Sequence, residues 1–119
     1  MTKEILASRE VEAERAVAQA FLRRLPDSYD VAQAILFGSR ARGDHRPDSD
    51  LDLAVVLKGA RKDFYDTKQV MADIAFDTLM ETGILVQAFP LWQDDLTHPE
   101  RFINPAVIHS IAAEGIRLG

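Results

Sequence analysis

Hydrophobic and polar positions follow two different periods along this chain, and each change of period predicts the start of a new element. Residues 3–24 are rich in Ala and Glu, and the large apolar residues Val17, Phe21 and Leu25 recur at intervals of four. This spacing is typical of an amphipathic helix with one apolar face. Pro26 cannot continue a helix, so the first helix is expected to end just before it.

Three short apolar runs predict strands. The first lies within residues 29–37 and is strongest at its end, the clearest covers residues 51–57, and the third covers residues 84–89. Pro90 follows the third run and is expected to end that strand, because proline removes a backbone donor from a sheet.

Helical patterns and turns connect these strands. A short helix is predicted at residues 39–43 and a long one at residues 62–82, with Gly83 as its stop. A last helix is predicted over residues 106–114, with Pro105 in its first turn and Gly115 as its stop. The remaining residues are interpreted as a polar loop at 44–49 and an irregular stretch between 90 and 105. This order predicts an α+β fold, a two-layer arrangement with a small mixed sheet and helices packed on one face.

Composition narrows the class of protein. A chain of 119 residues suits a single domain, 1–119, with one core. It has no cysteine, which excludes disulfides, thiolate metal sites and thiol chemistry. The net charge of −5 weighs against direct nucleic-acid binding, which usually needs a basic face. No apolar run is long enough to span a membrane and the start of the chain does not resemble a signal peptide, so a cytoplasmic protein without membrane contact is expected.

Three arginines, Arg40, Arg42 and Arg46, form a local basic cluster. Arginine offers a forked pair of donors to phosphate oxygens, although a cluster of this kind is equally typical of a solvated loop. Because Arg42 lies three residues after Ser39 in the predicted short helix, it is expected to share a face with Ser39 and to contact a phosphate.

The pair Asp50 and Asp52 is the first candidate for chemistry. Side chains alternate across a strand, so both carboxylates are expected on one face, about 7 Å apart along the chain. Their mutual repulsion is relieved when a divalent cation binds between them. The same Asp-X-Asp pattern also caps backbone groups at strand starts and occurs in sugar-nucleotide glycosyltransferases, so by itself it selects no reaction.

The dipeptide Gly38-Ser39 is the second candidate. Glycine has no Cβ and allows a ligand to approach the backbone closely, and serine is a preferred residue at a helix N-cap. A turn of this kind favours an anion, but an ordinary strand-to-helix turn has the same residues. The sequence contains neither a Walker loop nor a dinucleotide-binding fingerprint here.

The two candidates form one continuous string. Residues 38–43 are Gly-Ser-Arg-Ala-Arg-Gly, and residues 49–53 are Ser-Asp-Leu-Asp-Leu after a polar loop. This string resembles the defining motif of the DNA polymerase beta-like nucleotidyltransferase superfamily, most closely that of its minimal nucleotidyltransferases. The match runs from Phe37 to Val56 without a gap, and the length and element order of the chain fit as well.

The resemblance implies a function for each matching residue. Gly38 and Ser39 are expected to hold the triphosphate of ATP together with Arg42, and Asp50 and Asp52 are expected to bind Mg²⁺ and to act as the catalytic carboxylates. The implied reaction is transfer of a nucleoside monophosphate, usually adenylyl from ATP, to a hydroxyl. Metal ions in such a reaction activate the acceptor oxygen and stabilise the leaving pyrophosphate.

One departure from the family pattern concerns a third carboxylate, which the family usually carries on a later strand. The third predicted strand has no acid, and Gln87 best fits that position, although it also suits an outward-facing polar residue. Other acids are candidates for reaching inward: Glu81, Asp94 and Asp95. The sequence therefore supports nucleotide and metal binding more directly than turnover.

The resemblance also implies a partner. Minimal nucleotidyltransferases are typically found beside a small helical HEPN-domain protein, and the pair resembles a toxin–antitoxin module in which this chain is the antitoxin. Two mechanisms stay open: adenylylation of the partner, or neutralisation by contact from a catalytically weak nucleotide-binding module. The apolar residues Ile103, Val107, Ile108 and Ile111 are interpreted mainly as core, with a contact face for a partner as the alternative. The sequence leaves homo- and hetero-oligomers open.

Overall fold

A computed structural model describes residues 11–118 of the chain. The part of the first predicted helix that covers residues 3–10 lies outside these described residues. The elements in chain order are α1 (Glu12–Leu22), β1 (Val31–Phe37), α2 (Ser39–Arg42), β2 (Leu51–Leu57), α3 (Phe64–Thr82), β3 (Val86–Trp92), α4 (Gln93–Thr97), a 3₁₀ turn (Pro99–Arg101), α5 (Pro105–Glu114) and β4 (Ile116–Arg117).

The strands form one mixed sheet in the order β3-β2-β1-β4. β1 pairs antiparallel with both β2 and β4, whereas β2 and β3 run parallel. A mixed sheet with helices confirms the predicted α+β class. The long helix α3 lies between the parallel strands in sequence, as a parallel connection requires.

Apolar side chains on the two faces of the sheet form two packed clusters. On one face, Leu53 and Val55 of β2 pack with Phe21 of α1 and Met71 of α3, all almost completely buried. Such side chains are each worth about 1.5–3 kcal/mol when buried, so their packing stabilises the attachment of α1 and α3 to this face.

The opposite face of the sheet is covered in part by α5, so the prediction that the helices pack on one face is wrong. Ile108 and Ile111 pack against Ile35 and Phe37 of β1, which confirms their interpretation as core residues. Ile103 differs from them because 55% of its surface is exposed. The packing of α5 on this face brings the C-terminal end of the helix to the end of β1, where the site described below lies.

The prediction that Pro90 ends the third strand is wrong. β3 begins two residues later than expected and continues through Pro90, which pairs with Val55, to Trp92. β3 lies at the edge of the sheet, and an edge strand tolerates proline because an outward-facing N–H has no strand partner to lose.

The stretch between residues 90 and 105 is also more regular than expected. It contains α4 and the 3₁₀ turn, and the last element of the described residues is the short strand β4, which the sequence did not indicate. Local periodicity gives little signal for elements of two to five residues, so such elements are missed. Among the described residues, no helix is both long and apolar enough to cross a membrane.

Candidate active site

Gly38 brings the turn after β1 into direct contact with β2. Phe37 pairs with Asp52 across the antiparallel strands, and Gly38 follows with a φ of +75°. A Cβ added to Gly38 would overlap Oδ2 of Asp52 and lie 3.1 Å from its Cγ. Only glycine suits this position, because it both adopts positive φ without strain and leaves room for the carboxylate.

The carboxylate pair lies at the start of β2. Asp50 is exposed and precedes the strand, whereas Asp52 is half-buried within it. Burial raises the pKa of Asp52 above its usual value, the charges of Asp50 and Glu114 raise it further, and Arg42 opposes them. Arg42 thus does not offset the cost of keeping Asp52 negatively charged. A divalent cation bound between the two carboxylates would offset this cost.

The short helix α2 follows this contact, but its cap differs from the prediction. Gly38 holds the N-cap position, no side chain caps the helix, and Ser39 is its first residue. The prediction that Ser39 is the N-cap is therefore wrong. Its half-buried side chain lies one residue from the Gly38–Asp52 contact and is not used to cap the helix.

Arg42 lies at the end of α2 and is held by two acids. Its Nη1 donates to Oε1 and to Oε2 of Glu114, each at 3.0 Å, and its Nε donates to Oδ2 of Asp44 at 3.1 Å. Glu114 also accepts a hydrogen bond of 3.0 Å from the backbone N–H of Gly38. Glu114 thus links Arg42 to the Gly38 turn, and its charge is among those that raise the pKa of Asp52.

Sequence reasoning missed Glu114. The residue lies 72 positions after Arg42, at the last residue of α5, and no motif or spacing links the two. Its only local signal is its position just before Gly115, the predicted helix stop. This position predicts the end of a helix and does not indicate a functional site.

The predicted basic cluster does not form a shared phosphate-facing surface. Arg40 is buried, its Nη1 lies 2.9 Å from Oε2 of the buried Glu14, and its other donors bond to the carbonyl oxygens of Pro47 and Ser49. Residues two apart on a helix point in different directions, so Arg40 turns inward while Arg42 turns toward the site. Arg46 is exposed in the loop. Arg40 thus fixes the loop that leads to Asp50.

Replacing Arg40 by Met is expected to destabilise the protein by about 3–5 kcal/mol, because it leaves Glu14 charged and buried without its partner. The measurement is the urea midpoint, with Arg46→Met as the matched control. The exposed Arg46 should change the free energy of unfolding by no more than about 0.5 kcal/mol. Equal midpoints for the two variants would contradict the structural role of Arg40.

Gln87 lies directly beside Asp52. The two residues are partners in the parallel pairing of β2 and β3, so their side chains point to the same face. Gln87 is half-buried there. The register thus puts an amide, and not an acid, next to Asp52 on the neighbouring strand. Within residues 11–118, no three acidic or histidine side chains form a group that could hold a metal ion.

The other acids considered for a third carboxylate lie elsewhere. Glu81 pairs with Arg24. Asp95 is fully buried, accepts a hydrogen bond from the N–H of Trp92 and pairs with Arg61. Asp94 lies with Asp95 in α4, which follows the far end of β3. Asp94 and Asp95 therefore lie away from the end of the sheet that carries Asp52, and Glu81 is held by Arg24.

A glycine turn pressed against a strand with paired carboxylates, on a small mixed sheet, is the arrangement expected of a nucleotidyltransferase domain. A comparison with protein families agrees with this class. The family model described as "Polymerase beta, Nucleotidyltransferase" matches residues 21–118. The chain therefore belongs to the polymerase beta nucleotidyltransferase family.

Two known proteins show how the chain relates to this family. A protein of Methanocaldococcus jannaschii named "Putative protein adenylyltransferase MJ1305" is 31% identical over 93 residues. The match covers 76% of this chain and 62% of that protein, so the chain spans less than two thirds of its length. A crystal structure of a "putative nucleotidyltransferase" from Sulfolobus solfataricus has a TM-score of 0.52 at 19% identity, with 93% of this chain and 80% of that chain covered. This second likeness concerns the fold alone.

Proposed function

We propose that this protein transfers adenylyl from ATP to a hydroxyl of a protein partner in a Mg²⁺-dependent reaction. The observation that supports it best is the contact between the Gly38 backbone and the Asp52 carboxylate within a nucleotidyltransferase domain. In this proposal a polyphosphate chain approaches the backbone of Gly38 and a cation binds at Asp52. The contact puts these two positions next to each other.

Each site residue has one task in this proposal. Gly38, Ser39 and Arg42 bind the triphosphate, and Asp50 and Asp52 hold Mg²⁺. The metal supplies positive charge that activates the acceptor oxygen and stabilises the departing pyrophosphate. The chain itself contributes alignment, because a half-buried carboxylate and a fixed turn leave the bound nucleotide little freedom.

The proposed acceptor is a protein, and its proposed identity is a HEPN-domain partner. The name of the Methanocaldococcus jannaschii relative supports a protein acceptor at 31% identity. The HEPN-domain partner comes from the resemblance of the motif at residues 37–56 to minimal nucleotidyltransferases. In this proposal adenylylation silences the partner, and the chain acts as an antitoxin.

A second candidate function follows from Gln87. The glutamine beside Asp52 cannot supply the charge of a third carboxylate, and within the described residues 11–118 no group of three acids could hold a metal ion. This arrangement favours a catalytically weak module that binds nucleotide and neutralises its partner by contact. The two functions predict different states of the partner, modified or unmodified.

Co-expression with the proposed HEPN-domain partner separates the two functions. Intact-mass measurement of the partner is expected to detect an added adenylyl group, and Gln87→Asp is expected to raise the rate of addition by about tenfold or more, because a third carboxylate assists the metal and the acceptor proton. Gln93→Asp is the control, since Gln93 is exposed at the far end of β3. An unmodified partner that is still inhibited would favour the module.

A further inference from the structure

The Glu114 carboxylate contacts the donors that the proposed function assigns to the nucleotide. We propose that Glu114 is an internal competitor for the triphosphate, which must displace this carboxylate from Gly38 and Arg42 in order to bind. The inference rests on the proposed nucleotide site and adds a residue that sets the affinity of that site.

The contacts of Glu114 reproduce those expected of a phosphate. Oε1 accepts from the Gly38 N–H at 3.0 Å, and both oxygens accept from Nη1 of Arg42 at 3.0 Å. Backbone N–H groups and arginine forks are the usual donors to phosphate oxygens, and a carboxylate has the same charge sign and oxygen geometry. The Glu114 carboxylate thus occupies the two donors, of Gly38 and Arg42, that the proposed triphosphate needs.

The surrounding charges do not favour Glu114 in this position. Asp50 and Asp52 lie nearby, and the charge of Glu114 is among the causes that raise the pKa of Asp52. Glu114 is also the last residue of α5, where the helix dipole disfavours a negative charge. The carboxylate therefore depends on Gly38 and Arg42 to stay in place, and an incoming polyphosphate with its metal can release it.

The backbone around Glu114 is fixed, so release requires only a side-chain rotation. Gly115 fits closely against β1, since a Cβ there would lie 2.7 Å from Cγ2 of Ile35. The next residue, Ile116, pairs with Leu36 of β1. The Glu114 side chain is 21% exposed, which leaves solvent on one side into which it can turn. Rotation frees the two donors without moving α5.

The test compares the affinity of Glu114→Gln with that of the unmodified protein, by calorimetry with Mg²⁺ and either ATP or inorganic tripolyphosphate. The neutral amide competes more weakly than a carboxylate, so both probes are expected to bind about tenfold more tightly. Glu114→Ala, which removes the competing group entirely, is expected to bind at least as tightly as Glu114→Gln.

Asp44→Asn is the matched control. Asp44 also pairs with Arg42, but it is 61% exposed and bonds to Nε only, so the Gly38 N–H stays occupied by Glu114. Its effect on affinity is expected to be no more than about threefold. A second readout is the amide proton of Gly38, whose chemical shift in the free protein should change in Glu114→Gln and not in Asp44→Asn.

The outcomes separate this inference from the proposed function. Tighter binding by both Glu114 variants, with a small effect of Asp44→Asn, supports competition. Unchanged or weaker binding by Glu114→Gln, in a protein that binds Mg²⁺ and ATP, overturns competition and leaves the proposed function standing. Absence of binding by the unmodified protein and by every variant overturns both.

Discussion

Replacing Asp52 by Asn is expected to lower the rate of the proposed adenylyl transfer by more than about a hundredfold and to abolish stabilisation by Mg²⁺ and ATP. Loss of a residue that merely supports a metal ligand costs about 10–100-fold, so loss of a ligand should cost more. In the unmodified protein, Mg²⁺ and ATP at about 100 times the dissociation constant should stabilise the fold by about 2.7 kcal/mol. For a chain of this size, that is a rise in melting temperature on the order of 10 °C.

The same variant should not be less stable without ligand. Because the pKa of Asp52 is raised in the fold, the folded protein binds its proton more tightly than the unfolded chain does. Its charge therefore costs stability at neutral pH, and this cost disappears as the pH falls through the raised pKa toward the ordinary value of 3.8. Asp52→Asn should thus melt at or above the temperature of the unmodified protein at pH 7, and the difference should vanish in acid.

Asp50→Asn should behave like Asp52→Asn in the ligand experiment, whereas Asp77→Asn serves as the control. Asp77 is an exposed acid of α3 and is expected to retain the full rise in melting temperature. If Asp52→Asn still responds to Mg²⁺ and ATP as the unmodified protein does, the carboxylate pair is not the metal site.

Replacing Gly38 by Ala is expected to have the largest combined effect on stability and binding. A non-glycine residue with the backbone conformation of Gly38, φ +75° and ψ −156°, costs about 1–3 kcal/mol, and here the new Cβ also overlaps Oδ2 of Asp52. The carboxylate or the turn must move, and both belong to the proposed site. We expect a total loss of about 2–6 kcal/mol and no detectable stabilisation by Mg²⁺ and ATP.

Gly59→Ala is the control for the cost of the backbone conformation. The difference between the two variants then measures the steric overlap at Gly38. Gly59 has a φ of +87°, but no atom of the other described residues lies within 4 Å of an added Cβ. This variant should lose only about 1–2 kcal/mol for the backbone conformation and should keep its response to nucleotide. Urea unfolding and thermal melting measure both quantities. Equal losses in the two variants would show that the close approach of Gly38 to Asp52 is not a feature of the protein in solution.

The pairing of β1 with β2 was predictable from sequence because it is local. Two apolar runs separated by thirteen residues favour neighbouring strands, because strands that follow one another in sequence usually pair. When such strands pair antiparallel, the end of the first meets the start of the second, which puts Gly38 beside Asp52. Two strands, the long helix α3 and this contact therefore follow from nearby residues.

The remaining features depend on distant parts of the chain. The place of Gln87 beside Asp52 is set by a parallel register across α3, and the place of Glu114 by the packing of α5 on β1. Pro90 was misjudged because the rule that proline ends a strand does not hold at a sheet edge, and a sequence does not state which strand is the edge. Arg40 was misjudged because its buried partner, Glu14, lies 26 residues away on α1.

Pro90 affects how the exposed edge of β3 can associate with other polypeptides. An exposed strand edge is a template on which a second polypeptide can add its own backbone in register. At the middle of β3 the proline has no hydrogen to offer, so regular pairing along this side is interrupted after a few residues. The β3 edge therefore resists growth into extended β-assemblies, and side-chain contacts must carry any association along it.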